Sequence, residues 1–91
     1  MVAAIFEAEM TREQAAWLAE LMVDGRATRP AGVLNASLLY ENGVAQLIAV
    51  WRDKDTLDRY LSVTPVPRGV ELMRKVGVEP AFRVVEALEC G

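Results

Sequence analysis

The stretch Val33-Leu-Asn-Ala-Ser-Leu-Leu-Tyr-Glu-Asn-Gly-Val-Ala-Gln-Leu-Ile-Ala-Val-Trp-Arg52 decides the fold, because two apolar runs flank Asn42-Gly43 at its centre. A type I′ turn needs positive φ at both central positions, and Asn-Gly takes up that backbone at little steric cost. The runs from Gly32 to Tyr40 and from Val44 to Arg52 therefore read as the arms of an antiparallel hairpin. The turn also sets the register. With Glu41 opposite Val44, Tyr40 faces Ala45, Leu38 faces Leu47, Ala36 faces Ala49 and Leu34 faces Trp51. Alternate side chains share a face, so these residues form one wholly apolar side. The other side is mixed: it pairs Val33 with Arg52, Asn35 with Val50, Ser37 with Ile48, and Leu39 with Gln46.

Before the hairpin, Val2 to Glu9 is a short apolar run without Gly or Pro and reads as a strand buried largely on both faces. Thr11-Arg-Glu-Gln14 has the form of a capping box, in which the threonine hydroxyl accepts from a first-turn N–H while the glutamine reaches back. The helix it starts carries Trp17, Leu18, Leu21 and Met22 at helical spacing, and Asp24-Gly25 is suited to ending it. Arg26-Ala-Thr-Arg-Pro30 is a connection rich in helix breakers.

After the hairpin, Asp53 or Asp55 can cap a helix presenting Leu57, Tyr60 and Leu61, which Thr64-Pro65 ends. A second short helix follows Pro67 with Val70, Met73 and Val76 as its stripe and Gly77 as its close. Ala81 to Glu89 alternates as a last strand, with Phe82, Val84 and Leu88 on one side and Arg83, Val85 and Ala87 on the other. The order is βαββαβ, which predicts an α+β, ferredoxin-like domain spanning residues 1–91. Right-handed crossovers put the helices on one face of a four-stranded antiparallel sheet, over the hairpin's apolar side. The mixed side, with Val33, Leu39, Ile48 and Val50, is left without cover. A contiguous apolar strip of that kind marks an interface, so a homodimer packed sheet to sheet is expected, with Asn35, Ser37, Gln46 and Arg52 hydrogen-bonded across it or at its edge.

Composition narrows the function classes. At 91 residues the chain makes one domain, and a core this small gains from oligomerisation. Hydrophobic residues make up 53% and charged residues 25%, with no apolar run near the roughly 20 residues of a membrane span. A net charge of −3, with no basic cluster interleaved with aromatics, disfavours nucleic acid. Met1-Val-Ala-Ala-Ile-Phe6 lacks a basic leader, so a signal peptide is not expected and the protein reads as cytoplasmic. Cys90 is the only cysteine and no histidine occurs, so neither a disulfide framework nor a metal centre is expected. Asp53, Asp55 and Asp58 read as capping and solvated positions, since a calcium loop wants a glycine and a terminal glutamate.

Directly after the Asn-Gly hairpin, the run Trp51-Arg-Asp53-Lys-Asp55-Thr-Leu57-Asp-Arg-Tyr60-Leu61 resembles the strand-to-helix junction of the antibiotic biosynthesis monooxygenase-like proteins of the dimeric α/β-barrel superfamily. The resemblance implies a dimer whose two sheets form a barrel, with a pocket in each subunit between sheet and helices. It also implies oxygenation of polycyclic aromatic substrates without metal or flavin, haem degradation, or small-molecule binding without a known role. The family's junction tryptophan lines the pocket, and Trp51 matches it. Haem degraders carry a histidine on the following helix where this chain has Leu61, and an asparagine on the first strand where it has Ile5-Phe6-Glu7. Haem degradation by that route is therefore not expected.

Residue by residue, two readings stand side by side. Trp51 over a sheet is explained as a core plug, or as a pocket wall beside the small cross-strand pair Ala36 and Ala49. Met22, Met73 and Tyr60 are adaptable filling or pocket lining. The tyrosine hydroxyls of Tyr40 and Tyr60 need a partner if buried, and either could orient a ligand oxygen. Arg52 and Arg83 could hold an anionic oxygen, or pair with carboxylates. The substrate-binding candidates are Trp51, Tyr60, Leu34, Ala36, Ala49 and Met73, with no catalytic base identifiable and no cofactor implied. The expected function is a cofactor-independent monooxygenase-like protein acting on a small hydrophobic, aromatic metabolite; the alternative is a non-catalytic binding or structural dimer.

Overall fold

The computed structural model describes residues 1–90. Strands β1 (Val2–Glu9), β2 (Val33–Glu41), β3 (Val44–Trp51) and β4 (Ala81–Glu86) form one antiparallel sheet in the order β2-β3-β1-β4. Helix α1 (Arg12–Asp24) connects β1 to β2 through a single 3₁₀ turn, Arg26–Thr28. Helices α2 (Lys54–Val63) and α3 (Arg68–Lys75) together make the crossover from β3 to β4. The α+β, ferredoxin-like arrangement expected from the sequence is the one found.

Local chemistry accounts for the boundaries. Asn42 and Gly43 adopt φ of 53° and 79°, the pair of positive values a type I′ turn requires. The Thr11 hydroxyl accepts from the Gln14 N–H at 3.1 Å while the Gln14 side chain accepts from the Thr11 N–H at 2.8 Å, completing the capping box. Asp53 caps α2, accepting from the Thr56 N–H at 2.7 Å. Gly77, with φ of 92°, follows α3 in the left-handed region.

The hairpin register holds from Glu41 opposite Val44 to Asn35 opposite Val50, and then shifts. A bulge puts Val33, not Leu34, opposite Trp51. One extra residue in β2 reverses the alternation beyond it, so Val33 packs on the core and Leu34 is 52% exposed. Arg52 consequently lies past the strand end; its N–H donates to the Gly32 carbonyl at 2.8 Å, and its side chain binds Asp53 and Thr56 in the junction instead of an interface edge.

Three further expectations change. Trp17 is half exposed, because the buried face of α1 centres on Ala15 and Leu18, and one residue's step of about 100° carries the indole off it. On α3 the buried residues are Gly69, Leu72 and Met73, with Val70 only part-buried. The last strand stops at Glu86, leaving Leu88 outside it and exposed.

The core lies on one side of the sheet. Leu18, Leu57 and Met73 are the largest fully buried side chains, packed with Ala4, Phe6 and Ala8 of β1 and Ala45, Leu47 and Trp51 of β3. Burying a side chain the size of leucine contributes about 1.5–3 kcal/mol, so these few contacts carry much of the subunit's stability. The reverse side carries registered rows: Asn35, Val50, Ala3 and Val85 in one, Ser37, Ile48, Ile5 and Arg83 in the next. Leu39 and Val85 there are 52% and 40% exposed. Gln46 donates to Glu7 across this side at 2.6 Å, and Arg83 approaches the same carboxylate at 4.0 Å.

Candidate functional site

A cavity opens between the sheet and the helices because one row of the sheet is made of alanines. In register, Ala36 of β2 sits opposite Ala49 of β3, and Ala49 opposite Ala4 of β1. Methyl groups in three adjacent strands leave a depression that the helices above bridge without filling. The resulting cavity has a volume of about 100 Å³. Its walls are apolar: Leu57 and Leu61 of α2, Leu72 of α3, Leu47 of β3 and Met22 of α1.

Aromatic residues close the ends. Trp51, 3% exposed, stands next to the alanine row with Tyr60 tilted against it, ring centroids 5.0 Å apart at 41°. The Tyr60 hydroxyl accepts from the Arg68 backbone N–H at 2.9 Å, tying α2 to the start of α3. Across the cavity, Phe6 stacks on Phe82 with centroids 4.7 Å apart and planes 6° from parallel. Gly69 lies flat on the Phe6 ring; a β-carbon there would come 2.5 Å from two ring carbons. Only a glycine lets α3 approach this closely.

The rim is basic. Arg26, Arg29 and Arg68 line the cavity together with Pro30 and Val33, and among the described residues no aspartate or glutamate lines it. The Arg68 guanidinium donates to the carbonyls of Thr28 at 2.5 Å and Gly25 at 2.6 Å, fastening the 3₁₀ turn to α3. Among the described residues no cluster of His, Cys, Asp and Glu could hold a metal ion. Below the junction, hydrogen bonds from the Thr56 hydroxyl and N–H, with Arg52 beside them, lower the Asp53 carboxyl to about 2. It is a cap held ionised, outside the cavity lining.

Of the residues singled out from the sequence, Trp51, Tyr60, Ala36 and Ala49 line this space and Leu34 and Met73 do not. Leu34 is displaced by the bulge, and Met73 is fully buried in the core. Tyr40 spends its hydroxyl on the Met10 carbonyl at 2.9 Å. Sequence reasoning missed Ala4, Phe82, Gly69 and the rim arginines. The breaker-rich Arg26–Pro30 connection was visible as a loop, but nothing local shows that it folds over the cavity.

No family model and no curated protein matches the sequence. Solved structures do match its fold. A candidate antibiotic biosynthesis monooxygenase from Deinococcus radiodurans is similar with a TM-score of 0.66 at 20% identity, over 99% of this chain and 95% of that one. The monooxygenase from the gene ActVA-Orf6 of Streptomyces coelicolor, in complex with nanaomycin D, gives 0.69 at 15% identity over 98% and 88%. The protein of unknown function NE2512 from Nitrosomonas europaea gives 0.65 at 18% identity over 99% and 91%. Over nearly its whole length, this chain has the fold of structures described as antibiotic biosynthesis monooxygenases.

Proposed function

We propose that this chain is a cytoplasmic, monooxygenase-like protein of the antibiotic biosynthesis monooxygenase kind, taking a small hydrophobic aromatic metabolite into the cavity beneath Trp51 without metal or organic cofactor. The observation that carries the reading is the row Ala36, Ala49 and Ala4, which keeps room beside an indole in a core this small. Support comes from the shared fold, one example of which is a monooxygenase in complex with a small organic ligand. In such chemistry the substrate supplies the electrons. A phenolic or anthrone-like molecule loses a proton, its carbanion adds oxygen, a methylene becomes a carbonyl, and the second oxygen atom leaves as water. The protein contributes exclusion of water, stacking on Trp51 and Tyr60, and cationic side chains near the developing oxyanion.

The active species in this proposal is a homodimer joined through the outer side of the sheet. Leu39, Ile48, Val50 and Val85 form its apolar strip, and the helices all lie on the other side. A second reading, a binding protein without turnover, is favoured by a specific feature: among the described residues the cavity lining contains no carboxylate or imidazole to act as general base.

Oxygen uptake with an anthrone or hydroquinone, measured against spontaneous autoxidation, separates the two. The proposal expects protein-dependent uptake that falls at least about tenfold in Trp51→Phe or Tyr60→Phe while the fold is kept. Uptake at the autoxidation rate, alongside saturable binding of the same compound, would leave only the binding protein.

A further inference from the structure

The cavity carries a charge pattern that its apolar interior does not explain. The chain as a whole is acidic, thirteen Asp and Glu against ten Lys and Arg, yet among the described residues three arginines and no acid line this one space. Most of the other basic residues are paired: Arg52 with Asp53, Lys54 with Asp58, Arg74 with Glu79, Lys75 with Glu71, and Arg83 with Glu7. Among the described residues the guanidinium groups of Arg26 and Arg29 have neither an ion-pair nor a hydrogen-bond partner. The backbone that carries them is held in place. The two stand three residues apart across a 3₁₀ turn, where side chains at that spacing eclipse, and the Arg29 N–H donates to the Arg26 carbonyl at 3.3 Å. Arg68 pins that turn through the carbonyls of Gly25 and Thr28, and the Tyr60 hydroxyl in turn holds the Arg68 backbone. Arg26 and Arg29 bring like charges within three residues of each other, and their repulsion favours an anion between or beside them.

We infer that the cavity takes an aromatic carboxylate, its ring over the alanine row beside Trp51 and its carboxylate on Arg26 and Arg29. This rests on reading the cavity as a ligand site and adds the charge and orientation of the ligand. Arg68 is a positioning residue: its side chain is committed to the carbonyls of Gly25 and Thr28 at the two ends of the turn, so the anion is met by Arg26 and Arg29. Apolar walls with arginines among the lining select a molecule with an apolar body and an acid at one end.

Calorimetric titration with naphthalene-2-carboxylate and its uncharged isostere naphthalene-2-carboxamide tests this. A charge-assisted pair of this kind is worth about tenfold or more in affinity, so the parent is expected to prefer the carboxylate by that factor. In the Arg26→Gln/Arg29→Gln double variant the two ligands bind alike, while Arg59→Gln, a substitution of an unpaired arginine outside the cavity, keeps the preference. Arg26 is exposed, so Arg26→Gln alone serves if the double variant does not fold, and it lowers the preference at least about threefold. Equal binding of both ligands by the parent, or a preference that survives these substitutions, overturns the assignment of the anion but leaves the cavity as a ligand site. Binding of neither ligand overturns both.

Discussion

Val33 and Leu34 show how far one residue's placement reaches. Strict alternation from the Asn-Gly turn puts Leu34 against Trp51, and the bulge gives that place to Val33. Nothing in the local sequence marks a bulge at this point; it arises where the chain leaves the strand to meet the Arg26–Pro30 connection. Val33→Ala is therefore expected to cost about 1–2 kcal/mol in urea unfolding, and Leu34→Ala no more than about 0.5 kcal/mol. The reverse ranking would restore the unbroken register. The cross-strand pair Ala36 and Ala49 was legible because a hairpin register is local. Ala4 completes the row through a partner some forty residues away, and only the assembled sheet reveals it. Gly69 is another residue whose reason is tertiary. With the Phe6 ring held between it and Phe82, Gly69→Ala is expected to destabilise by about 1–3 kcal/mol in the same measurement. A neutral outcome would mean that the ring is free to swing away.

Elements were legible wherever their boundaries are written in short-range chemistry. The capping box at Thr11, the turn at Asn42-Gly43 and the cap at Asp53 each depend on atoms within three residues, and each forms. The helix stripes are less legible, since a large apolar residue such as Trp17 looks like core in a sequence although its angular position puts it outside. The end of β4 was overrun for a related reason: alternation continues to Leu88 after the strand's hydrogen-bonding partner β1 has run out at Val2. Asp53 gives the element scale its pH signature. A carboxyl lowered to about 2 in the fold against about 3.9 in the unfolded chain stabilises α2 fully above the higher value. That contribution is lost as pH falls through the window between them. Asp53→Asn keeps a capping oxygen but no charge, so the parent's advantage in Tm over this variant is expected near pH 6, is mostly gone by pH 2 and vanishes below it. An advantage that stays constant with pH would remove the ionised cap from the account.

At the scale of the molecule, element order alone pointed to four strands with helices on one side, because connection rules leave few ways to arrange βαββαβ. The same order leaves the reverse of the sheet without a cover of its own. Leu39 and Val85 are exposed in the subunit, so Leu39→Glu/Val85→Glu is tolerated by the isolated fold and is felt only where a second copy covers them. Sedimentation is expected to find the parent at twice the 10.0 kDa chain mass and the double variant at that mass. A parent that sediments as a single chain contradicts the dimer.

The proposed ligand of this molecule sits in the space above the alanine row, and filling that space is the most direct test. Ala49→Leu places a larger side chain where Ala36, Ala49 and Ala4 leave room, without disturbing the turn, the caps or the rim arginines. Calorimetry with naphthalene-2-carboxylate is expected to show saturable binding at one site per chain in the parent and none in the folded Ala49→Leu protein. Equal binding by both proteins, or no binding by the parent, would contradict it.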